Sequence, residues 1–265
     1  MKVFISADIE GVTGVTSWSE TRYGGQGYEE ACRQMGLEVK AACDAAIELG
    51  YEVVVKDGHE DALNLDLWQL PRGVQLIRGW RTSPEAMMGG LDATFDACLY
   101  LGYHSAEGTN SSPLAHTIEH ELFNWMKING KLASEFSMNA LWAAYYGVPS
   151  VFLSGDEGIC GHGKEVCPGI VTVATKACTG NSTWNLHPQD ALEQIREGVK
   201  AALQQKTDLI SPEEKYSLQI HFKEHQNARN ASWYPGAKLI DSNIVEYTAK
   251  DVRDLMVGRM FMTGI

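Results

Sequence analysis

Residues 1–14 read MKVFISADIEGVTG, and the rest of the chain is organised around them. Val3 to Ala7 is a short apolar run of strand type, with Asp8 and Glu10 two residues apart directly after it. Side chains alternate along an extended chain, so both carboxylates fall on one side if that conformation persists. Gly11 and Gly14 then let the backbone turn away. In an open α/β sheet, ligands gather in the crevice beyond the carboxyl ends of the strands. Two carboxylates on one face there are hard donors for a divalent cation. A solvated strand end can also be acidic, so the decision falls to the segments that follow.

The arrangement recurs. Glu52 to Lys56 reads as a buried strand ending in Asp57-Gly58-His59, Ala97 to Tyr103 as another with His104 at its end, and Val148 to Leu153 as one running into Gly155-Asp156-Glu157. Val74 to Arg78 is a further strand candidate. Between them, Cys32, Met35, Val39, Ala42 and Ala46 recur at helical spacing until Gly50, and Met138 to Tyr146 reads as a helix stopped by Gly147. Strands alternating with helices predict an α/β fold, a mostly parallel sheet flanked by helices on both faces. Parallel strands deliver their carboxyl ends to one edge, so Asp8, Glu10, His59, His104 and Asp156 are expected to converge. Mixed imidazole and carboxylate donors suit zinc, and a carboxylate shared between two ions would make a dinuclear hydrolytic site.

Composition narrows the partners. The 265 residues are 44% hydrophobic and 21% charged, with a formal charge of 22 − 34 = −12. That balance argues against nucleic acid or an anionic membrane, both of which need a basic surface. No leader and no apolar run near the length of a membrane span is evident. The six cysteines are scattered, as buried thiols are in a reducing compartment. A cytoplasmic protein without disulfides is expected. Ser17 to Gly27 reads as a flexible loop close to the site. Past it, strands at Ile170 to Thr175 and Tyr216 to Phe222 and helices at Ala191 to Gln205 and Ala249 to Met262 suggest a smaller C-terminal α+β lobe. Gly158 to Gly169, with four glycines and Pro168, reads as the boundary. The expected division is a metal-binding catalytic domain over 1–158 and the lobe over 159–265.

Taken together, Asp8-Ile-Glu10-Gly11-Val-Thr-Gly14, Asp57-Gly-His59 with Asn64-Leu65, Gly102-Tyr103-His104, His116-Thr117, Glu135 with Asn139-Ala140, and Gly155-Asp156 resemble the D-aminopeptidase family of zinc metallopeptidases. The resemblance runs from Met1 to about Asp156 and is weak beyond. It implies two zinc ions per chain held by Asp8, Glu10, His59, His104 and Glu135, with Asp8 shared, and it makes His116 the catalytic residue. Ser134 stands where the family often has glycine. The resemblance further implies an aminopeptidase of short peptides with D- or small N-terminal residues. Its family fold is a sheet domain with a smaller lobe, assembled into a homo-oligomeric ring, a decamer, around an inner chamber.

Other readings compete. His116-Thr-Ile-Glu119-His120 matches the H-x-x-E-H pattern of inverted zincins, in which two histidines one helical turn apart bind one zinc. Cys160-Gly-His162 with Cys167 fits no usual zinc spacing and reads as loop cysteines. Trp142, Tyr145 and Tyr146 are at helical spacing and read as core packing rather than a substrate platform. Asp57 and Asp156 suit either orientation of the ligating histidines or turn and capping duty. A peptide-binding protein without catalysis and a dinuclear metal phosphoesterase are the alternatives to the peptidase.

Overall fold

The computed structural model describes residues 1–265. In chain order its elements are β1 (Lys2–Ala7), α1 (Tyr28–Glu48), β2 (Glu52–Asp57), β3 (Gln75–Ile77), β4 (Ala97–Tyr103), β5 (Phe123–Ile128), β6 (Lys131–Leu132), α2 (Glu135–Tyr145), β7 (Ser150–Asp156) and α3 (Glu157–Val166). There follow β8 (Val171–Thr179), β9 (Ser182–Asn185), α4 (Pro188–Gln204), β10 (Tyr216–Phe222), α5 (His225–Ala231), β11 (Lys238–Leu239), β12 (Ile244–Ala249) and α6 (Val252–Thr263).

Seven strands form one sheet in the order β3-β2-β1-β4-β7-β8-β9, parallel except for β9 at the edge. β1 is central, with β2 on one side and β4 on the other, so the strand order reverses at β1 and opens a crevice beyond its end. Alternation along β1 divides the core. Val3, Ile5 and Ala7 pack with α1 and with Ile195, Val199 and Ala202 of α4, while Phe4 belongs to the cluster on the opposite face. That second cluster takes in Phe136 of α2, Ile159 of α3, and Met126, Leu218, Ile220 and Val245 of a five-stranded antiparallel sheet, β11-β12-β10-β5-β6.

The expected α/β architecture with a second, smaller part is present, but the strands do not divide at 158/159. β5 and β6, from the first stretch, join the antiparallel sheet, while β8, β9 and α4, from the second, return to the parallel one. The glycine-rich run that suggested a boundary is the helix α3. Asp156 caps it by accepting from the Ile159 amide, and its Gly158 and Gly163 serve close packing. A Cβ at Gly163 would crowd the Leu153 side chain. Cys160 and Cys167 are accordingly buried at this helix rather than held in a loop. Ala249, the expected start of the closing helix, instead ends the strand β12, and the helix starts three residues later, at Val252. Trp142 is buried as expected, whereas Tyr145 stacked against it is exposed. No helix is long and apolar enough to cross a membrane.

Two glycines beside α3 make opposite demands. A Cβ at Gly155 would overlap the Tyr103 carbonyl oxygen, whereas one at Gly161, on the exposed side of the helix, meets nothing within 4 Å. Gly155→Ala is therefore expected to lower stability by about 3 kcal/mol, and Gly161→Ala to raise it by about 0.5 kcal/mol or more. Chemical denaturation at a fixed protein concentration checks both; equal effects of the two would contradict the packing described.

Candidate metal centre

The strand ends meet as the parallel topology requires. Asp8 continues the ladder past β1, its amide donating to the Leu101 carbonyl at 2.8 Å, and the Gly11 amide donates to Gly102 at 2.8 Å. This close crossing needs glycine on both sides: a Cβ at Gly11 would overlap the Tyr103 carbonyl, and Gly102, at φ +70°, lies against the Asp8 carbonyl. Asp8, Glu10, His59, His104, His116 and Glu135 are all buried.

Their side chains form two adjoining groups. His59 Nδ1 lies 3.2 Å from Asp8 Oδ1 and 3.2 Å from Glu10 Oε2. His104 Nε2 lies 3.4 Å from Asp8 Oδ2 and 3.4 Å from Glu135 Oε2. Asp8 thus turns one oxygen to each histidine. Glu135 opens α2, where a carboxylate is favoured by the helix dipole. Ser134 before it is extended and caps the helix through the Ser137 amide at 3.0 Å. Glu135 Oε1 accepts from the Ile118 amide at 2.7 Å, and Ile118 holds a left-handed φ of +70°, a strained conformation for a β-branched residue.

Each histidine is oriented by a main-chain carbonyl. His59 Nε2 donates to Thr21 at 2.6 Å, His104 Nδ1 to Ser105 at 3.0 Å, and His116 Nδ1 to Leu114 at 2.9 Å. A carbonyl only accepts, so these nitrogens carry hydrogen and the opposite nitrogen of each ring faces the carboxylates. Asp8 Oδ2, Glu10 Oε2 and His104 Nε2 are buried with no hydrogen-bond partner. Orphaned buried donors and acceptors are rare. Inward-facing carboxylate oxygens and imidazole nitrogens are the donor set that a borderline cation such as zinc accepts. The residues fit a metal.

The electrostatics follow from burial and neighbours. Burial, then Glu10, pushes Asp8 well above the usual carboxylate range. Burial opposes ionisation of Glu10 and Glu135, yet His59 holds Glu10 well below its ordinary value and His104, with His116, holds Glu135 at about 2. Burial alone would depress His59 and His104. Glu10 and Asp8 nevertheless raise the former well above its ordinary value, and Glu135 with Asp8 raises the latter to about 10. His116 goes the other way, lowered by burial and by His104, whose ring it stacks on at 4.0 Å.

His116 Nε2 is 3.6 Å from Glu135 Oε1, and donor atoms of His104, His116 and Glu135 lie within 4.8 Å of one another. The inverted-zincin reading fails here. Residues 116–120 are not helical, with a bend at Thr117 and Ile118, and His120 stacks on Trp18 at 4.0 Å while pairing with Glu119. Asp57 and Asp156 touch main chain rather than imidazole. Asp57 accepts from the amides of Asn64 and Leu65, each at 2.7 Å, and Asn64 Nδ2 donates to the His59 carbonyl at 2.7 Å. Asp156 accepts from the Ser105 amide at 2.7 Å and caps α3. Both fix the backbone that carries a histidine. The loop Ser17 to Gly27 walls the site through the Thr21 carbonyl, a contact no residue type announces in a sequence. Asp8, Glu10, His59, His116 and Glu135 line a cavity of about 850 Å³ with Trp18, Trp80 and Arg259 in its walls.

The chain is similar to known proteins along its whole length. The sequence profile of the family described as D-aminopeptidase matches residues 1–261. A D-aminopeptidase of Bacillus subtilis (strain 168) is 30% identical, the alignment covering 100% of this chain and 97% of the relative. The solved structure of the Zn-dependent D-aminopeptidase DppA from Bacillus subtilis, a self-compartmentalizing protease, superposes with a TM-score of 0.93 at 29% identity, over 100% of this chain and 97% of that one.

The raised imidazoles make a prediction for the metal-free protein. Below about 10 His104 carries a second ring proton, and His59 is raised in the same direction, so a cation must displace protons from both. Zinc affinity should therefore climb with pH from neutrality towards about 10. Calorimetric titration at pH 8 in buffers of different ionisation heat should register protons released as zinc binds; release of none would contradict the assignment.

Proposed function

This chain belongs to the D-aminopeptidase family, a family of peptidases, and from that premise we propose that it is a zinc-dependent aminopeptidase acting on short peptides with D- or small N-terminal residues. The observation that carries the reading is the convergence of Asp8, Glu10, His59, His104 and Glu135, with their inward atoms left without hydrogen-bond partners. We assign two zinc ions per chain, one held by Glu10 and His59, the other by His104 and Glu135, with Asp8 shared between them. What supports the sharing is that Asp8 Oδ1 faces His59 and Oδ2 faces His104. Zinc supplies Lewis acidity there, polarising the scissile carbonyl and acidifying water.

The protein's own groups do the rest. Loss of the charge on His116, favoured by burial, leaves Nε2 with a lone pair on the cavity side, while Nδ1 keeps its hydrogen on the Leu114 carbonyl. Nε2 takes the proton of the attacking water and returns it to the leaving amine. Asp57 and Asp156 hold the main chain on which His59 and His104 stand. Trp18 and the Ser17 to Gly27 loop limit access of water to the histidines. We further propose a homo-oligomer, in the form of a decameric ring; likeness to a self-compartmentalizing protease supports an assembly of this kind. A cytoplasmic location remains part of the proposal.

Release of amino acid from D- and L-aminoacyl di- and tripeptides tests the activity, with a chromogenic phosphate ester as the contrast. Cleavage of the ester and not of peptides would favour the phosphoesterase, and peptide binding without release the non-catalytic protein. Elemental analysis is expected to return about two zinc ions per chain; a single ion after zinc is added back would overturn the dinuclear assignment.

Three variants separate the roles. Asp8→Ala should lose activity and most of its metal together, since a shared ligand serves both ions. His116→Ala should keep both ions and lose at least about 100-fold in kcat, the usual worth of a general base. His120→Ala should keep metal and most of the activity. A zinc-depleted His116→Ala protein would move His116 into the ligand set.

A further inference from the structure

Lys176 sits inside β8, 2% exposed, in the seven-stranded sheet. Its ammonium reaches beneath the end of β1 and donates to the main-chain carbonyls of Glu10 at 2.5 Å, Val12 at 3.1 Å and Val15 at 2.5 Å. An ammonium has three N–H donors, and here all three go to carbonyls of a single turn rather than to a carboxylate. That turn carries Glu10. The neighbouring Thr175 hydroxyl lies 2.6 Å from the Gly11 carbonyl and 3.0 Å from that of Gly155. From the other side, buried Glu38 of α1 accepts from the Thr13 amide at 3.0 Å.

Burying a charged amine costs several kcal/mol even after relaxation. A methionine would fill much of the same space without that cost, but it would leave three carbonyls of a buried turn without donors. Glu10 Oε2 has no hydrogen-bond partner and only the His59 ring beside it at 3.2 Å, so the main chain beneath it shares in fixing where it stands. Lys176 does not line the cavity and cannot touch a substrate there.

We propose that Lys176 is a positioning residue for Glu10: by drawing the carbonyls of Glu10, Val12 and Val15 onto one ammonium, it fixes where the Glu10 carboxylate stands. It thereby sets the affinity of the ion shared by Glu10 and His59. The inference rests on the two-ion reading of the site. It predicts an effect confined to one ion, because the Lys176 ammonium donates only to the turn that carries Glu10 and to no carbonyl of the segments that carry His104 and Glu135.

The test is a zinc titration of the metal-free full-length protein against a chromogenic chelator. Lys176→Met should weaken one ion by roughly 10- to 100-fold, the usual effect of removing a group behind a ligand, and leave the other as in the wild type. Ile195→Ala, a buried substitution in α4 that removes no hydrogen bond to the turn, serves as a control for loss of packing alone and should leave both affinities unchanged. If Lys176→Met does not fold, Thr175→Val, which keeps the shape and removes the grip on Gly11, should weaken the same ion by roughly 3- to 10-fold, the worth of one hydrogen bond. A folded Lys176→Met or Thr175→Val protein that binds both ions as tightly as the wild type would overturn the inference. So would an equal loss in Ile195→Ala. A wild-type protein that holds one ion overturns instead the two-ion reading on which the inference stands.

Discussion

Three carboxylates and three imidazoles are buried against one another at one edge of a parallel sheet, and the surrounding structure answers to that constraint. Taking a charge out of water costs several kcal/mol unless it is paired. Here Asp8, Glu10 and Glu135 face His59, His104 and His116 at 3.2–3.6 Å. The ionisation shifts of two pairs, His59 raised beside a lowered Glu10 and His104 raised beside a lowered Glu135, express the same mutual dependence. A divalent cation replaces that proton-based balance with a stronger one.

Such a set stays in place only if the backbone that carries it is rigid. Much of the polar chemistry near the site is therefore directed at main chain. Asp57 gathers the amides of Asn64 and Leu65, Asp156 those of Ser105 and Ile159, and Lys176 gathers three carbonyls. The glycines at 11, 102 and 155 allow β1, β4 and β7 to approach closely where their ends turn. The carbonyls that fix the imidazole orientations come from Thr21, Ser105 and Leu114, all outside the strands and helices. Loop geometry and ligand geometry are in this way one problem, and strain at Ile118 is tolerated because its amide supports Glu135.

Much of this was legible in the sequence. Apolar runs ending in Asp8, His59 and His104 implied a parallel sheet with its donors at one edge, because strand polarity alone sends those ends together. The helix over Tyr28–Glu48 could be read from its spacing. Glu135 could not: it opens a helix rather than ending a strand, and only likeness to a family pointed to it. Lys176 was not legible either: the strand was read only as far as Thr175, and a sequence does not say which carbonyls an ammonium meets.

What the sequence determined by itself was therefore the local order of the chain: the periodicities, the strand ends, and the residue types able to hold a metal. Only the tertiary structure decided how distant segments were shared out. Residues 123–132 left the first half to build the antiparallel sheet, and residues 171–204 came back to the parallel one. The glycine-rich run near 158–169 proved to be a helix, closely packed at Gly158 and Gly163, rather than a linker, since glycine permits both and only a neighbour such as Leu153 distinguishes them. His116 and His120, one helical turn apart on paper, were separated by a left-handed Ile118. The physical reason is common to all three. Propensity and spacing act over a few residues, whereas burial, close approach and charge pairing are settled between segments that meet only when the chain has folded.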